Sequence, residues 1–218
     1  MKNSKEEYLK VIWHLGGRKR KIAPKEIASK MNVQAASVTE MLLKLTRDGL
    51  INYEPYRGAN LTEKGIEQCT SLVRSHEIWE VFLVRYLGYR LSEAHDEADL
   101  LEHATSLRLM ERLDLFLNYP TLCPHGSQVP RPGSLSDKRL LTPLTDLVPG
   151  DIAIIARIEE EADLLEYLEK LGLKVPMEVK IISHGDYGGP IQIGAVKEDK
   201  QFSINLKAAE KIYVIQGN

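Results

Sequence analysis

Two short amphipathic segments, separated by three residues, constrain the fold of this chain more than any other feature. They run from Pro24 to Met31 and from residue 35 to residue 48, with Asn32-Val33-Gln34 between them. Pro24 suits a first helical turn, and Gly49 suits the position just after a last one. Apolar side chains recur at helical spacing within each segment. The pattern predicts a helix-turn-helix that packs against an earlier helix.

Beyond the second of these helices the spacing changes from helical to extended. Leu50-Ile51-Asn52-Tyr53, a turn at Arg57-Gly58 and then Ala59-Asn60-Leu61 predict a small hairpin, or wing. Thr62 can cap the long helix that follows. A second long helix is predicted over residues 92–116. These two helices are apolar enough to cover both a core and a subunit interface.

The last part of the chain changes character again. Residues 118–149 contain six of the ten prolines, which is typical of a tether between domains. One helix is then predicted over residues 162–171. The predicted strands are residues 151–158, 177–183, 191–196 and 212–215. The whole chain is therefore predicted to be an α+β protein with a winged helix at 1–71, a helical domain at 72–141 and a small SH3-like β-barrel at 142–218.

Charge is distributed unevenly along a chain whose net charge is −2. Residues 1–75 carry fourteen Lys or Arg against eight Asp or Glu, and residues 76–119 carry four against nine. The basic N-terminal part, residues 1–75, is suited to bind an anionic polymer such as DNA. The acidic, histidine-bearing part, residues 76–119, is suited to bind a divalent cation. No apolar run approaches the roughly 20 residues that span a bilayer, and no signal peptide is predicted. With two cysteines only, the chain is expected to be cytoplasmic, with reduced thiols and no membrane partner.

The segment from His95 to His103 carries the densest set of metal-binding side chains. On a helix, offsets of four, seven and eight residues place His95, Asp99, Glu102 and His103 along one face. A histidine and carboxylate set without thiolate favours manganese or iron over a structural zinc site. The same spacing also suits a solvated helix face, so both interpretations stay open.

Two further pairs are candidate cation ligands. His76 and Glu80 lie four residues apart on the preceding helix, and Cys123 and His125 lie two apart where the predicted tether begins. A thiol and an imidazole at such a boundary can hold a cation. Spacings like that of His76 and Glu80 often arise by chance, and Cys123 and His125 taken alone are more often an inert pair.

The order of motifs along nearly the whole chain resembles that of a known protein family. The motifs are Glu6-Glu7-Tyr8-Leu9, Asp48-Gly49-Leu50-Ile51, Tyr56-Arg57-Gly58, Leu61-Thr62-Glu63-Lys64-Gly65, Ser75-His76-Glu77, His95-Asp96-Glu97-Ala98 and Glu102-His103. In this order they resemble the diphtheria toxin repressor and manganese transport regulator family of metal-dependent repressors. The C-terminal part resembles the SH3-like, FeoA-type domain of the longer members.

The resemblance implies two metal sites. The core site falls on Glu7, His76, Asp99, Glu102 and His103. The second site falls on Glu80, Cys123, His125 and Glu160. Iron-responsive members place sulfur where this chain has Glu7 and Asp99. The oxygen donors therefore indicate Mn²⁺ as the cofactor, with Fe²⁺ or Zn²⁺ able to bind in vitro.

The resemblance also implies a homodimeric repressor, not an enzyme, that binds palindromic double-stranded operator DNA of metal-uptake genes. The expected DNA contacts are Gln34, Ala36, Ser37, Thr39, Glu40, Lys44, Arg47 and Arg57. The alternatives are an iron- or zinc-responsive repressor of the same family, a winged-helix regulator that senses a small organic ligand, and a metallohydrolase. The chain has no His-Glu-x-x-His arrangement, which disfavours the hydrolase.

Overall fold

The computed structural model of the protein describes residues 4–131 and 139–216. The chain divides into two compact units. The first unit holds the chain up to Arg74 together with residues 130–135, and the second holds Ser75–Val129 and the chain from Ser136 onward. Among the described residues, none of the helices is both long enough and apolar enough to cross a membrane.

The first unit contains three helices, a hairpin and the start of a fourth helix. These elements are α1 (Lys5–His14), α2 (Pro24–Met31), α3 (Ala35–Arg47), β1 (Ile51–Glu54), β2 (Gly58–Leu61) and α4 (Glu63–Leu87). β1 and β2 pair antiparallel, and Ile22 adds a single bridge to Ala59 at the outer side of β2. The helix-turn-helix and the wing predicted from the sequence are thus both present.

Local chemistry explains where these elements begin and end. The Ser4 hydroxyl accepts a hydrogen bond from the Glu7 amide at 3.2 Å and caps α1. Asn32 ends α2 in the left-handed region, with φ of 54°. Gly58 turns the hairpin with φ of +98°, and a Cβ there would lie 2.5 Å from the Ile22 carbonyl oxygen, so only glycine fits.

One apolar core holds the first unit together. Its fully buried side chains come from every element, among them Tyr8, Leu9, Ile12, Ile27, Val38, Leu42, Leu45 and Ile51. On α3 the buried residues Val38, Leu42 and Leu45 recur at three- and four-residue spacing. The opposite face of α3 is consequently left at the surface.

The helical part of the second unit corrects one prediction. The single helix expected over residues 92–116 is wrong: α5 (Leu91–Leu101) is followed by a 3-10 turn (Glu102–Ala104) and then by α6 (Leu107–Phe116). Thr105 is extended at the break, and the Ser106 hydroxyl caps α6 by accepting from the Leu109 amide at 3.2 Å. A Thr-Ser pair offers the backbone local hydrogen bonds that compete with a continuous helix.

The C-terminal part of the second unit is a six-stranded antiparallel sheet. Its strands are β3 (Thr142–Pro143), β4 (Ile152–Ile158), β5 (Met177–His184), β6 (Ile191–Ala195), β7 (Gln201–Ile204) and β8 (Ile212–Gln216), in the order β3-β8-β4-β5-β6-β7. The two helices of this part are α7 (Ala162–Leu171) and the short α8 (Leu206–Ala209). Register shifts on β4 and on β5 interrupt the ladder, as expected of a small curved sheet. The α+β class is confirmed, while β3, β7 and α8 were not predicted.

The segment predicted as a tether is not a loose linker in its described parts. Buried residues occur in both described parts of the segment: Cys123, His125 and Val129 in the earlier part, and Leu144 and Leu147 in the later part. The middle, residues 132–138, lies outside the described residues. Prolines limit hydrogen bonding within the segment but do not prevent its described residues from packing against α4 and the sheet domain.

Candidate metal centre

Two side chains one turn apart on α4 form the centre of the candidate site. His76 and Glu80 are both buried, with side-chain exposures of 1% and 0%, and His76 Nε2 lies 3.1 Å from Glu80 Oε1. The i, i+4 spacing places them on the same helix face. Burial of an imidazole and a carboxylate together is costly without further partners, so the neighbours of this pair are informative.

Toward α5 the pair meets a first cluster of oxygen donors. His76 Nδ1 lies 2.7 Å from Glu102 Oε2 and 3.3 Å from Asp99 Oδ1. One donor atom from each of these three residues falls within 4.8 Å of the others. His103 follows on the 3-10 turn, with its Nε2 atom 3.6 Å from Glu102 Oε1. Four of the five residues predicted for the core site therefore lie in the second unit, and Glu7 lies on α1 of the first.

His95, a candidate ligand by its spacing in the sequence, belongs to neither of the two sites that the family resemblance implies. Its Nδ1 atom lies 3.0 Å from Glu80 Oε1 and 3.1 Å from His76 Nε2. One donor atom from each of His76, Glu80 and His95 falls within 4.8 Å of the others. The shared face of His95 and Asp99 on α5 was visible in the sequence, but the contact between His95 and α4 depends on how these two helices pack.

On the other side of Glu80 lies a second cluster, which includes sulfur. His125 Nδ1 lies 2.8 Å from Glu80 Oε2 and 3.1 Å from Cys123 Sγ. His125 Nε2 lies 2.8 Å from Glu160 Oε1. Glu160 follows β4 in the sheet domain, so this cluster joins the two parts of the second unit. All four residues predicted for the second site come together here.

Glu77 also faces the second cluster and was missed by the sequence analysis. One donor atom from each of Glu77, Glu80, Cys123 and His125 falls within 4.8 Å of the others, and all four residues are buried. Glu77 appears in the Ser75-His76-Glu77 motif, but no spacing rule distinguishes it from an ordinary surface glutamate on a helix. Burial is what distinguishes Glu77 from a surface glutamate, and burial depends on the tertiary structure.

The protonation behaviour of the second cluster is strongly perturbed. Burial, and next the charge of Glu160, raise the pKa of Glu77 to about 8. Burial raises the pKa of the Cys123 thiol well above its ordinary value. Burial alone would lower the pKa of His125, but the interactions with its neighbours, Cys123 first and then Glu80 and Glu160, hold it well above the ordinary value. Burial would raise the pKa of Glu80, but the charges of His125 and His76, and the hydrogen bonds with them, hold it well below its usual range.

The residues of both clusters fit a divalent cation. The first cluster offers carboxylate oxygens and an imidazole, which suit manganese or iron, and the second adds a thiol, which also suits zinc. Within the described residues, the buried Oε2 atom of Glu77 has no hydrogen-bond partner. Several buried carboxylates this close together repel unless a cation or protons neutralise them.

The residues predicted to contact DNA lie on the face of α3 opposite its core and on the wing. Gln34, Ala36, Ser37, Glu40, Arg47 and Arg57 are exposed, and Thr39 and Lys44 are partly buried. Lys44 Nζ lies 2.7 Å from Glu40 Oε1, so these two charges compensate each other in part. The Arg57 side chain is 77% exposed at the wing, 3.4 Å from Glu54. In DNA-binding helix-turn-helix proteins, the second helix of the motif is the one that enters the major groove.

A winged helix-turn-helix in one unit and buried histidine–carboxylate clusters in the other define a metal-dependent, DNA-binding transcriptional regulator. Three family models match: the N-terminal DNA-binding domain of iron-dependent repressors over residues 1–59, their metal-binding and dimerisation domain over residues 62–131, and the FeoA domain over residues 142–216. The chain belongs to this family of metal-dependent repressors, which are transcriptional repressors and not enzymes.

Similar proteins span most of the chain. The iron-dependent repressor IdeR of Mycobacterium tuberculosis is 30% identical over 183 residues, 77% of this chain and 79% of IdeR. A solved manganese-dependent transcriptional repressor in complex with manganese is 31% identical with a TM-score of 0.87, over 98% of this chain and 100% of that one. Structures of ScaR with bound Cd²⁺ and with bound Zn²⁺ are 37% identical with a TM-score of 0.83, again over 98% of this chain and 100% of theirs. The resemblance inferred from the motifs is thereby confirmed.

Proposed function

We propose that this chain is a manganese-dependent, homodimeric repressor that binds palindromic operators of metal-uptake genes in the cytoplasm. The observation that carries the choice of metal is the first cluster, in which Asp99 offers oxygen and lies with Glu102 around His76 Nδ1. Hard carboxylate oxygens suit manganese, whereas sulfur at such a position would favour softer ions. The manganese complex of a structural relative supports the same metal.

Two sets of residues hold cations in this proposal. His76, Asp99, Glu102 and His103 form the core site, to which the family resemblance adds Glu7 as a ligand. Glu80, Cys123, His125 and Glu160 form the second site. A bound divalent cation would neutralise the clustered carboxylates and favour the DNA-binding form of the protein through its differential affinity for that form. Glu80 and His76 orient each other across the two sites by the hydrogen bond between them.

Sequence recognition is assigned to the start of α3. Gln34, Ala36, Ser37 and Glu40 would face base edges, since the N-terminal residues of a recognition helix reach the groove floor. Thr39, Lys44, Arg47 and Arg57 would contact phosphates, which position the protein without specifying sequence. The net charge of +6 that residues 1–75 carry favours this assignment.

A dimer is supported by the apolar surface of the second unit. Tyr86, Leu107 and Phe116 are 54%, 64% and 58% exposed, and the rings of Tyr86 and Phe116 lie 5.0 Å apart. Large exposed apolar side chains grouped in this way are typical of an interface. The two winged-helix domains of the dimer would then bind a pseudo-palindromic sequence, because a two-fold axis in the protein matches one in the DNA.

The test is a titration of DNA binding against free metal. DNA fragments that the full chain selects from a random pool are titrated with protein at fixed salt and chelator-buffered Mn²⁺, Fe²⁺ or Zn²⁺, while the mass of the complex is measured. We expect Mn²⁺ to activate binding of two chains to a palindromic sequence. The Cys123 thiol favours a second candidate, an iron- or zinc-responsive repressor. Activation by those ions and not by Mn²⁺ would replace the proposal with that candidate, and metal-independent binding would refute both.

A further inference from the structure

Glu77 is a buried carboxylate that neither proposed metal site includes. It follows His76 on α4, and its side chain is 2% exposed. Among the residues that the structure describes, nothing hydrogen-bonds to its Oε2 atom. A buried oxygen without a partner is rare, because the loss of hydration is not offset. Such an atom therefore indicates an interaction that the protein atoms do not supply.

The Oε2 atom of Glu77 faces the second cluster. It lies 3.9 Å from His125 Nε2, and donor atoms of Glu77, Glu80, Cys123 and His125 lie within 4.8 Å of one another. Ligand atoms bound at roughly 2.0–2.3 Å from one ion are at most about 4.6 Å apart. The spacing of these donors is therefore close to that of ligands around a single cation, with only small side-chain movements needed.

We propose that Glu77 is a fifth protein ligand of the second cluster, beside Glu80, Cys123, His125 and Glu160, and that it determines which divalent cation the cluster prefers. This inference rests on the proposed function, because it takes the second cluster to be a metal site. It adds a ligand, and a reason for selectivity, that the family resemblance does not assign to this chain.

The number of donor atoms explains why Glu77 would change the metal preference of the second cluster. Without Glu77 the cluster is a four-donor set of two carboxylates, one thiolate and one imidazole, and structural zinc sites are almost always four-coordinate. With Glu77 it has five donors, three of them carboxylates, which suit manganese better than zinc. The concentration of negative charge does not exclude this set, since zinc sites of four cysteines also surround one divalent ion with four anionic ligands.

The test compares two charge-neutralising substitutions on the same helix. Glu77→Gln keeps the volume of the buried side chain, and Glu67→Gln makes the same change at an exposed position of α4. The full chain without DNA is titrated with Mn²⁺ and with Zn²⁺ against a chromophoric chelator. We expect Glu77→Gln to weaken Mn²⁺ binding at one site by at least the roughly tenfold that loss of an outer-shell partner costs. Zn²⁺ binding should weaken less, and Glu67→Gln should match the wild type.

Cobalt provides a readout of the ligands that does not depend on affinity. With Co²⁺ bound, the sulfur-to-metal charge-transfer band reports ligation by Cys123, and the d–d bands strengthen as the coordination number falls. We expect Glu77→Gln to keep the charge-transfer band and to strengthen the d–d bands. Glu77→Asp retains the charge but withdraws the carboxylate by one methylene. It should show the same spectral change, which covers the case in which the Gln variant does not fold.

Cys123→Ser, measured in parallel, distinguishes two claims: that the second cluster binds a metal ion, and that Glu77 is one of its ligands. If this variant binds as many metal ions per chain as the wild type, the second cluster is not a metal site, and the inference about Glu77 fails with it. If Cys123→Ser loses one ion while Glu77→Gln behaves like Glu67→Gln in both titrations and in the cobalt spectrum, only the inference about Glu77 is overturned. The inference about Glu77 is supported if Cys123→Ser loses one ion and Glu77→Gln shows a raised preference for Zn²⁺.

Discussion

His76 and Glu80 connect the two clusters of candidate metal ligands through one turn of α4. His76 Nε2 lies 3.1 Å from Glu80 Oε1, while His76 Nδ1 faces Glu102 and Glu80 Oε2 faces His125. If Nδ1 of a neutral imidazole holds a cation, the remaining proton is on Nε2 and can be donated to Glu80. The protonation of one histidine at the first cluster thereby orients a carboxylate at the second.

The first prediction follows from this connection. Glu80→Gln should weaken metal binding at the second cluster directly and at the first cluster through His76, by roughly tenfold at the first, as for an outer-shell partner. Isothermal titration of the metal-free chain with Mn²⁺ measures both sites. Cys123→Ser is the comparison, because it should affect the second cluster alone. Identical first-site affinities in Glu80→Gln and in the wild type would show that the clusters are independent.

The second prediction concerns metal selectivity at Asp99. This residue is 43% exposed at its side chain and lies 3.3 Å from His76 Nδ1, so a cysteine can be accommodated there. Asp99→Cys should lower the concentration of Zn²⁺ or Fe²⁺ needed to activate DNA binding and should raise that of Mn²⁺, because thiolate stabilises the softer ions more. DNA binding is measured at fixed salt against each free metal. An unaltered ranking of the metals would refute the account of selectivity.

The third prediction concerns His103 of the Glu102-His103 pair. His103→Ala should abolish metal-activated DNA binding, because it removes a proposed ligand of the core site. The chain should still fold and dimerise, since His103 lies on the 3-10 turn and keeps 14% of its side chain exposed. Gel-shift titration measures the loss, and sedimentation checks the dimer. Full activation of this variant by Mn²⁺ would disprove the assignment of His103 to the core site.

The fourth prediction distinguishes phosphate contacts from base contacts. Arg57→Ala should weaken binding to all DNA sequences and reduce the dependence of log K on log salt by about one unit, the value for a single phosphate contact. Gln34→Ala should instead change the preference among operator variants more than the general affinity. Both are measured over a salt series with several DNA sequences. An unchanged salt slope in Arg57→Ala would place the wing away from the DNA.

The fifth prediction is a dependence of metal binding on pH. Glu77 with a pKa of about 8, together with the raised pKa values of Cys123 and His125, keeps all three groups protonated near neutral pH in the metal-free protein. A metal must displace these protons, so affinity should rise as pH increases from about 6 to about 8. Titration calorimetry in buffers of different protonation enthalpy counts the protons released. Cys123→Ser should release fewer, and metal binding without proton release would contradict the prediction.

Local spacing was sufficient to predict much of this protein. The helix-turn-helix, the wing and four of the strands follow from residue periodicity, from Pro24 at a helix start and from Gly49 after a helix end. These signals act between neighbours in the chain, so they are legible without the fold. The eight predicted ligands of the second unit were implied by the family resemblance rather than by spacing, and they come together in two clusters.

Packing decided what those local signals left open. The break between α5 and α6 at Thr105 also places the Thr105 hydroxyl where it accepts a hydrogen bond from Trp79 Nε1 at 2.7 Å, a contact that no spacing rule contains. Glu77 became a candidate ligand, and the contacts of His95 with His76 and Glu80 became visible, only when α4, α5 and the Cys123 segment were brought together. Burial sets the cost of an unpaired carboxylate, and burial depends on residues distant in the chain. The ligand set of a metal site that joins several elements is for that reason a property of the tertiary structure.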